Sequence, residues 1–169
     1  MKQIKFIFLF IIIGCSSFSK VITDYNAKED FSKFKTFDLY EDNGENLNEF
    51  DVKRITKIIQ ENLEKVGLKQ NKSPDFFIYF DTKTVESQHK NTIGIGVGNG
   101  GVGISGGIPI GGKKLNEKLI IKFIEAKTNE LFWEGSLNTV FKENRTPEER
   151  ETHLKKVVLD ILEQFPPKK

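Results

Sequence analysis

One cysteine, Cys15, stands in a chain of 169 residues. No disulfide can close within the chain, so any fold must be held by a hydrophobic core. The residues before it narrow the choice further. Lys2 and Lys5 give a positive start, and Ile4 to Ile13 is apolar apart from Lys5. Gly14-Cys15-Ser16-Ser17 follows. The apolar run is about ten residues, too short for a membrane span of about 20. It fits the hydrophobic region of an export signal.

Ile12-Ile13-Gly14-Cys15 resembles the lipobox read by lipoprotein signal peptidase. On this reading residues 1–14 are a signal peptide cut between Gly14 and Cys15, and Cys15 carries the lipid. Acyl chains contribute about 0.8 kcal/mol per buried CH₂, and two or more hold a protein stably on a bilayer. Residues 15–20 form the acylated cysteine and a short tether, and residues 21–167 form one domain. The five residues after Cys15 reach at most roughly 17 Å. Ser16, rather than Asp, favours the outer membrane by analogy with Gram-negative sorting. The expected location is therefore the periplasmic side of the outer membrane.

Loss of the signal removes Lys2 and Lys5 and leaves 155 residues with 24 basic against 24 acidic side chains. A neutral mature chain argues against nucleic acid as a partner. Its length suits one domain with a real core.

Apolar spacing gives the elements. Val21–Tyr25 and Lys35–Tyr40 read as short strands. Val52, Ile55, Ile59, Leu63 and Val66 repeat at helical spacing, with Ile58 beside them, so a helix is predicted over Asn48–Val66. Asn46 and Glu49 are placed as its capping box and Gly67 as its C-terminal stop. Pro74–Phe80 reads as a strand covered on both faces. Lys118–Glu125 and Leu131–Phe141 flank the turn Lys127-Thr128-Asn129-Glu130 and read as an antiparallel pair. A second helix is predicted from Pro147 to Phe165, with Thr146 as N-cap and Glu149 closing the box. Its apolar stripe is Leu154, Val157, Val158, Ile161, Leu162 and Phe165. The expected fold is α+β: a two-layer sandwich with a mainly antiparallel sheet, two amphipathic helices and a glycine-rich hairpin or loop insert.

The insert holds most of the glycines, between Gly94 and Gly112. Overlapping G-x-G-x-x-G matches start at Gly96, Gly98 and Gly101, but no strand-to-helix step follows to hold a phosphate. Lys114 stands where a P-loop needs Ser or Thr. Alternation is the better reading. Asn99-Gly100 suits a tight type I′ turn, which sets Val97 against Val102 and Ile95 against Ile104. Ile93, Ile95, Val97, Val102 and Ile104 then form one apolar face, a candidate contact hairpin.

No motif names a reaction. His89 and His153 lack metal-ligand spacing, and no G-x-S-x-G elbow is present. Glu148, Glu149 and Glu151 suit a helix N-terminus. Phe31, Phe34, Phe37, Phe76, Phe77 and Trp133 read as core. Neither a cofactor nor a metal is expected.

Several blocks together resemble a lipoprotein family of unknown function, DUF4136. They are Ile22–Asn26 with Asp30–Phe37, Pro74–Phe80, Leu119–Glu125 with Thr128, Leu131 and Trp133–Gly135, and Phe165-Pro166-Pro167. Phe34 departs from a tyrosine frequent at that position. Members commonly carry a glycine-rich insert. The resemblance implies a lipid-anchored, mixed α/β envelope domain and carries over no catalytic or ligand residue. The expectation is a non-enzymatic binding or structural protein, tied to the membrane through Cys15 and facing an envelope protein partner. The alternative is a small-ligand binder or hydrolase with a site assembled from scattered residues.

Overall fold

The computed structural model describes residues 20–86, 92–93, 108–109, 114–142 and 144–167. In chain order it shows strand β1 (Ile22–Tyr25), a 3₁₀ turn (Phe31–Lys33), β2 (Thr36–Leu39), helix α1 (Glu49–Lys65), β3 (Lys69–Gln70), β4 (Phe76–Glu86), β5 (Thr92–Ile93), β6 (Ile108–Pro109), β7 (Lys114–Glu125), β8 (Leu131–Lys142) and helix α2 (Pro147–Leu162). Six strands form one sheet in the order β1-β8-β7-β4-β2-β3. Both helices pack together and contribute to one core with the sheet. This is the expected α+β sandwich.

The β7–β8 hairpin forms the centre because its sequence alternates. Leu119, Ile121 and Phe123 lie opposite Leu137, Gly135 and Trp133, and all point to the helices. A bulge after Phe123 lets Phe132 and Trp133 both be buried. Phe132 stacks on Phe34 with centroids 4.1 Å apart, and Phe123 lies 4.7 Å from both Trp133 and Phe165. Gly135 is required here. A Cβ on it would stand 2.6 Å from Ile161 Cγ2 and 2.6 Å from Trp133 Cη2, so α2 and the indole occupy the space a side chain would need.

The other half of the sheet is parallel. β2 runs parallel to both β3 and β4, and α1 supplies the crossover that parallel strands need. Asp75 fixes this junction. Its carboxylate accepts hydrogen bonds from Lys35 N, Thr36 N and Thr36 Oγ1 at 2.8–3.0 Å. Those bonds, led by the Lys35 amide and opposed by partial burial, hold its pKa below the usual carboxylate range. Beyond β2, Asn43 continues the seam, donating to Ile78 O and accepting from Phe80 N.

Three expectations need correction. Asn48, not Asn46, caps α1: its side chain accepts from Asp51 N at 3.0 Å, while Asn46 bonds Asp81. Among the described residues, β4 is covered by helices on one face only. Phe76, Ile78 and Phe80 are buried, whereas Phe77 and Tyr79 are half-buried on the open face beside Tyr40. Thus Phe77 is not a core residue. Helix α2 ends at Leu162, short of Phe165. Its Thr146–Glu149 capping box is formed as expected.

Candidate functional site

The helices begin side by side, and their first turns carry charge into the core. Asp51 of α1 is 2% exposed and Glu117 of β7 is 5% exposed. Arg150 of α2 joins them. Its Nε donates to Asp51 Oδ2 at 2.9 Å, and its Nη1 and Nη2 donate to the two Glu117 oxygens at 3.0 and 2.7 Å. Arg54 Nη1 donates to Asp51 Oδ1 at 2.8 Å, and Asn48 Nδ2 to Asp51 Oδ2 at 2.9 Å. Burial opposes the Arg150 charge, but the bonds and charges of Glu117, then Asp51, outweigh it and raise its pKa. Two parallel bonds to one carboxylate give this pair both strength and fixed geometry.

Periodicity marks these residues, although the charge is invisible to a search for motifs. Asp51 precedes Ile55, Ile59 and Leu63 by one, two and three helical repeats of four, so it continues their stripe. Arg150 precedes Leu154 in the same way, and Glu117 continues the alternation of Leu119, Ile121 and Phe123. A charged residue at an apolar-phase position must find a partner inside.

Above the cluster lies a groove of about 450 Å³, lined by Asn48, Phe50, Asp51, Arg54, Arg145, Thr146, Pro147 and Arg150. Three of its lining residues are arginines, of which Arg54 and Arg150 are bonded to Asp51 and Arg150 also to Glu117 beneath it. Burial, then repulsion from Arg150, lowers the Arg145 pKa despite Glu117 and Glu149. Phe50 is 69% exposed at the groove.

His153 lies behind the groove, with Nε2 3.2 Å from Thr139 Oγ1. Burial, followed by the charges of Arg145, Arg150 and Lys156, pushes its pKa down to about 4. Its imidazole is neutral at pH 7. Among the described residues, no group of three His, Cys, Asp or Glu is arranged to hold a metal.

Of the residues singled out in the sequence, Gly14, Cys15, Ile95, Val97, Val102 and Ile104 lie outside the described residues, as does His89. Ile93 is in β5, where it lies opposite Ile108, and Thr92 lies opposite Pro109. A strict two-residue turn at Asn99-Gly100 would continue to place Ile93 opposite Gly106. The described pairing is therefore two residues out of that register. None of the described helices is long and apolar enough to cross a membrane.

Fold and site together define an α+β sandwich of a six-stranded mixed sheet and two helices, with a buried arginine–carboxylate cluster. The model of a domain of unknown function, DUF4136, matches residues 21–167, and the chain belongs to that family. A search of curated proteins gave no match. Among solved structures the chain is similar to a PDZ domain protein from Parabacteroides distasonis, at 18% identity and a TM-score of 0.61. The match covers 89% of this chain, which spans only 36% of that one. It is also similar to a DUF4136 family protein from Bacteroides thetaiotaomicron, at 17% identity and a TM-score of 0.52, with 88% and 96% of the two chains covered. The PelC dodecamer from Paraburkholderia phytofirmans is a third, at 6% identity and a TM-score of 0.51, with 86% and 96% covered. At these identities the likeness is one of fold.

Proposed function

We propose that this chain is a non-catalytic binding protein held by lipid at Cys15 to the periplasmic face of the outer membrane, and that the groove between its helix N-termini receives an acidic group of an envelope protein. The observation that carries the binding site is the lining: Arg54, Arg145 and Arg150 converge on the groove, with Phe50 exposed beside them. An aromatic ring next to arginines suits a protein contact better than a free solute, since such residues dominate binding energy at interfaces. Two helix N-termini add favourable potential for a carboxylate. Support for the anchor is the signal-like start and the lone cysteine, six residues before the family domain begins.

Among the described residues, a hydrolase assembled from scattered residues would find a nucleophile–base pair in Thr139 and His153. An imidazole with a pKa of about 4 is a poor acceptor for a hydroxyl proton. Neither residue lines the groove.

The test is photo-crosslinking in cells from a benzophenone amino acid at Phe50, with the exposed helix position Glu61 as control. A discrete protein adduct at Phe50 that disappears in Arg54→Ala is expected. Equal adducts from both positions would remove the groove from consideration. The mass of the N-terminal peptide tests the lipid on Cys15 separately.

A further inference from the structure

The β2–β4 seam is closed at its far end by a side chain. Tyr40 N donates to Ile78 O at 3.0 Å, and turns occupy residues 41–46. The Asn43 carboxamide takes up the ladder from there. Its Nδ2 donates to Ile78 O at 3.2 Å and to Tyr40 O at 2.7 Å, and its Oδ1 accepts from Phe80 N at 2.7 Å. Gly44 N completes the run, donating to Phe80 O at 2.8 Å. One side-chain amide thus gives Ile78 and Phe80 the partners that a strand's backbone would give. Gly44 is buried with a φ of 71°, and a Cβ on it would stand 2.8 Å from Val52 Cγ2. The latch therefore also seats the start of α1.

The same two residues are an Asn-Gly pair. Such a pair readily loses the asparagine amide, because glycine puts no side chain in the way of its own nitrogen. In that reaction the Gly44 nitrogen gives its proton to hydroxide and bonds Asn43 Cγ. The Cγ–Nδ2 bond breaks and ammonia leaves. The cyclic imide then takes up one water and opens at either carbonyl, to aspartate or to isoaspartate. In the folded chain both reactants are held apart. Gly44 N–H is bonded to Phe80 O, and the carboxamide is fixed by its bonds to Tyr40, Ile78 and Phe80.

We propose that Asn43–Gly44 is a modification site gated by local opening of this latch, and that the modification runs one way. Each opening of residues 40–47 frees the Gly44 nitrogen and lets the carboxamide turn towards it. Aspartate at position 43 has no donor for Tyr40 O or Ile78 O, and sets a carboxylate oxygen against both carbonyls. Isoaspartate adds one carbon to the main chain and carries Gly44 N out of register with Phe80 O. Either product keeps the seam open and loosens the start of α1. Asn48 and Asp51 lie there and line the groove between the helices, so the modified chain carries an altered groove whatever that groove receives.

The test ages the full chain at mildly alkaline pH. Peptide mapping separates Asn43-Gly44 from Asn99-Gly100, the other Asn-Gly pair of the chain. Loss of ammonia at Asn43 is expected to be about tenfold or more slower in the folded chain than in a synthetic peptide of residues 38–48. It should rise in step with hydrogen exchange of the Gly44 amide as urea is added below the unfolding transition. As a second measurement, Asn43→Asp makes the product directly. Amide exchange at Gly44 and Phe80 is expected to speed up about tenfold in it, with exchange at Phe123 in the core unchanged. Equal rates in the folded chain and the peptide overturn the gating, as does a Gly44 amide that exchanges while Asn43 stays intact. Exchange at Gly44 and Phe80 unaltered by Asn43→Asp overturns the one-way effect.

Discussion

Arg150 grips Glu117 through two bonds, 2.7 and 3.0 Å long, and so ties the first turn of α2 to the central strand β7. The same guanidinium holds Asp51 of α1 at 2.9 Å. One side chain thus joins three elements that are far apart in sequence. Removal of Arg150 leaves two buried carboxylates short of their cation. Arg150→Met is expected to lose about 3–5 kcal/mol in urea unfolding, the usual range for breaking a buried pair. Glu117→Gln/Arg150→Met should lose less than the sum of its single variants. Additive losses in that double-mutant cycle would show the pair to be uncoupled.

The second expectation concerns pH. His153 has a folded pKa near 4, below its ordinary value of 6.5. Between those values the unfolded chain binds a proton that the folded one refuses, so stability rises with pH. The contribution is complete above about pH 6.5 and is lost as pH falls towards 4. Allowing for partial exposure, it amounts to about 2 kcal/mol. The charges around the imidazole are Arg145, Arg150 and Lys156, all cationic. His153→Asn should flatten this part of the stability profile in denaturant titrations from pH 4 to 7, leaving the acid loss from Asp75 and Glu125, whose pKa values are lowered.

Gly135 offers a steric test. Gly135→Ala places a methyl group 2.6 Å from both Ile161 and Trp133. A loss of about 1–3 kcal/mol is expected, with blue-edge tryptophan emission altered as the indole moves. Ile161→Ala clears one of the two clashes. Adding it to Gly135→Ala should cost less than it does in the wild-type background.

The capping correction can be checked with two alanines. Asn48→Ala removes the oxygen that accepts from Asp51 N and should destabilise α1 by about 1 kcal/mol. Asn46→Ala removes one exposed side-chain bond to Asp81, keeps the bond from its backbone N–H, and should change thermal unfolding far less. A larger effect at Asn46 would restore it as the helix start.

Local pattern made much of this fold legible. The Lys127–Glu130 turn and alternating flanks announce β7–β8, and Thr146-Pro147 with Glu149 announces α2. The parallel placement of β2 was not legible, because it depends on Asp75 reaching back to the amides of Lys35 and Thr36. Such long-range bonds leave no periodic trace. The covered face of β4 was overestimated because Phe77 and Tyr79 are sheltered by Tyr40, not by a helix. The charged cluster was legible in phase but not in partnership. Asp51, Glu117 and Arg150 each extend an apolar stripe with a charge, yet only the fold brings together residues separated by 33 and 99 positions.

Strand β1 also sets an order of events. It is nearly the first part of the domain to be made, and its partner, β8, is completed only at Lys142. As the chain emerges from its N-terminus, Ile22–Tyr25 has no edge to join until most of the sequence has followed. The β7–β8 hairpin, by contrast, closes across a short turn as soon as it is made. Strand β1 is thus among the last parts of the sheet to be tied down, although it is among the first to be made.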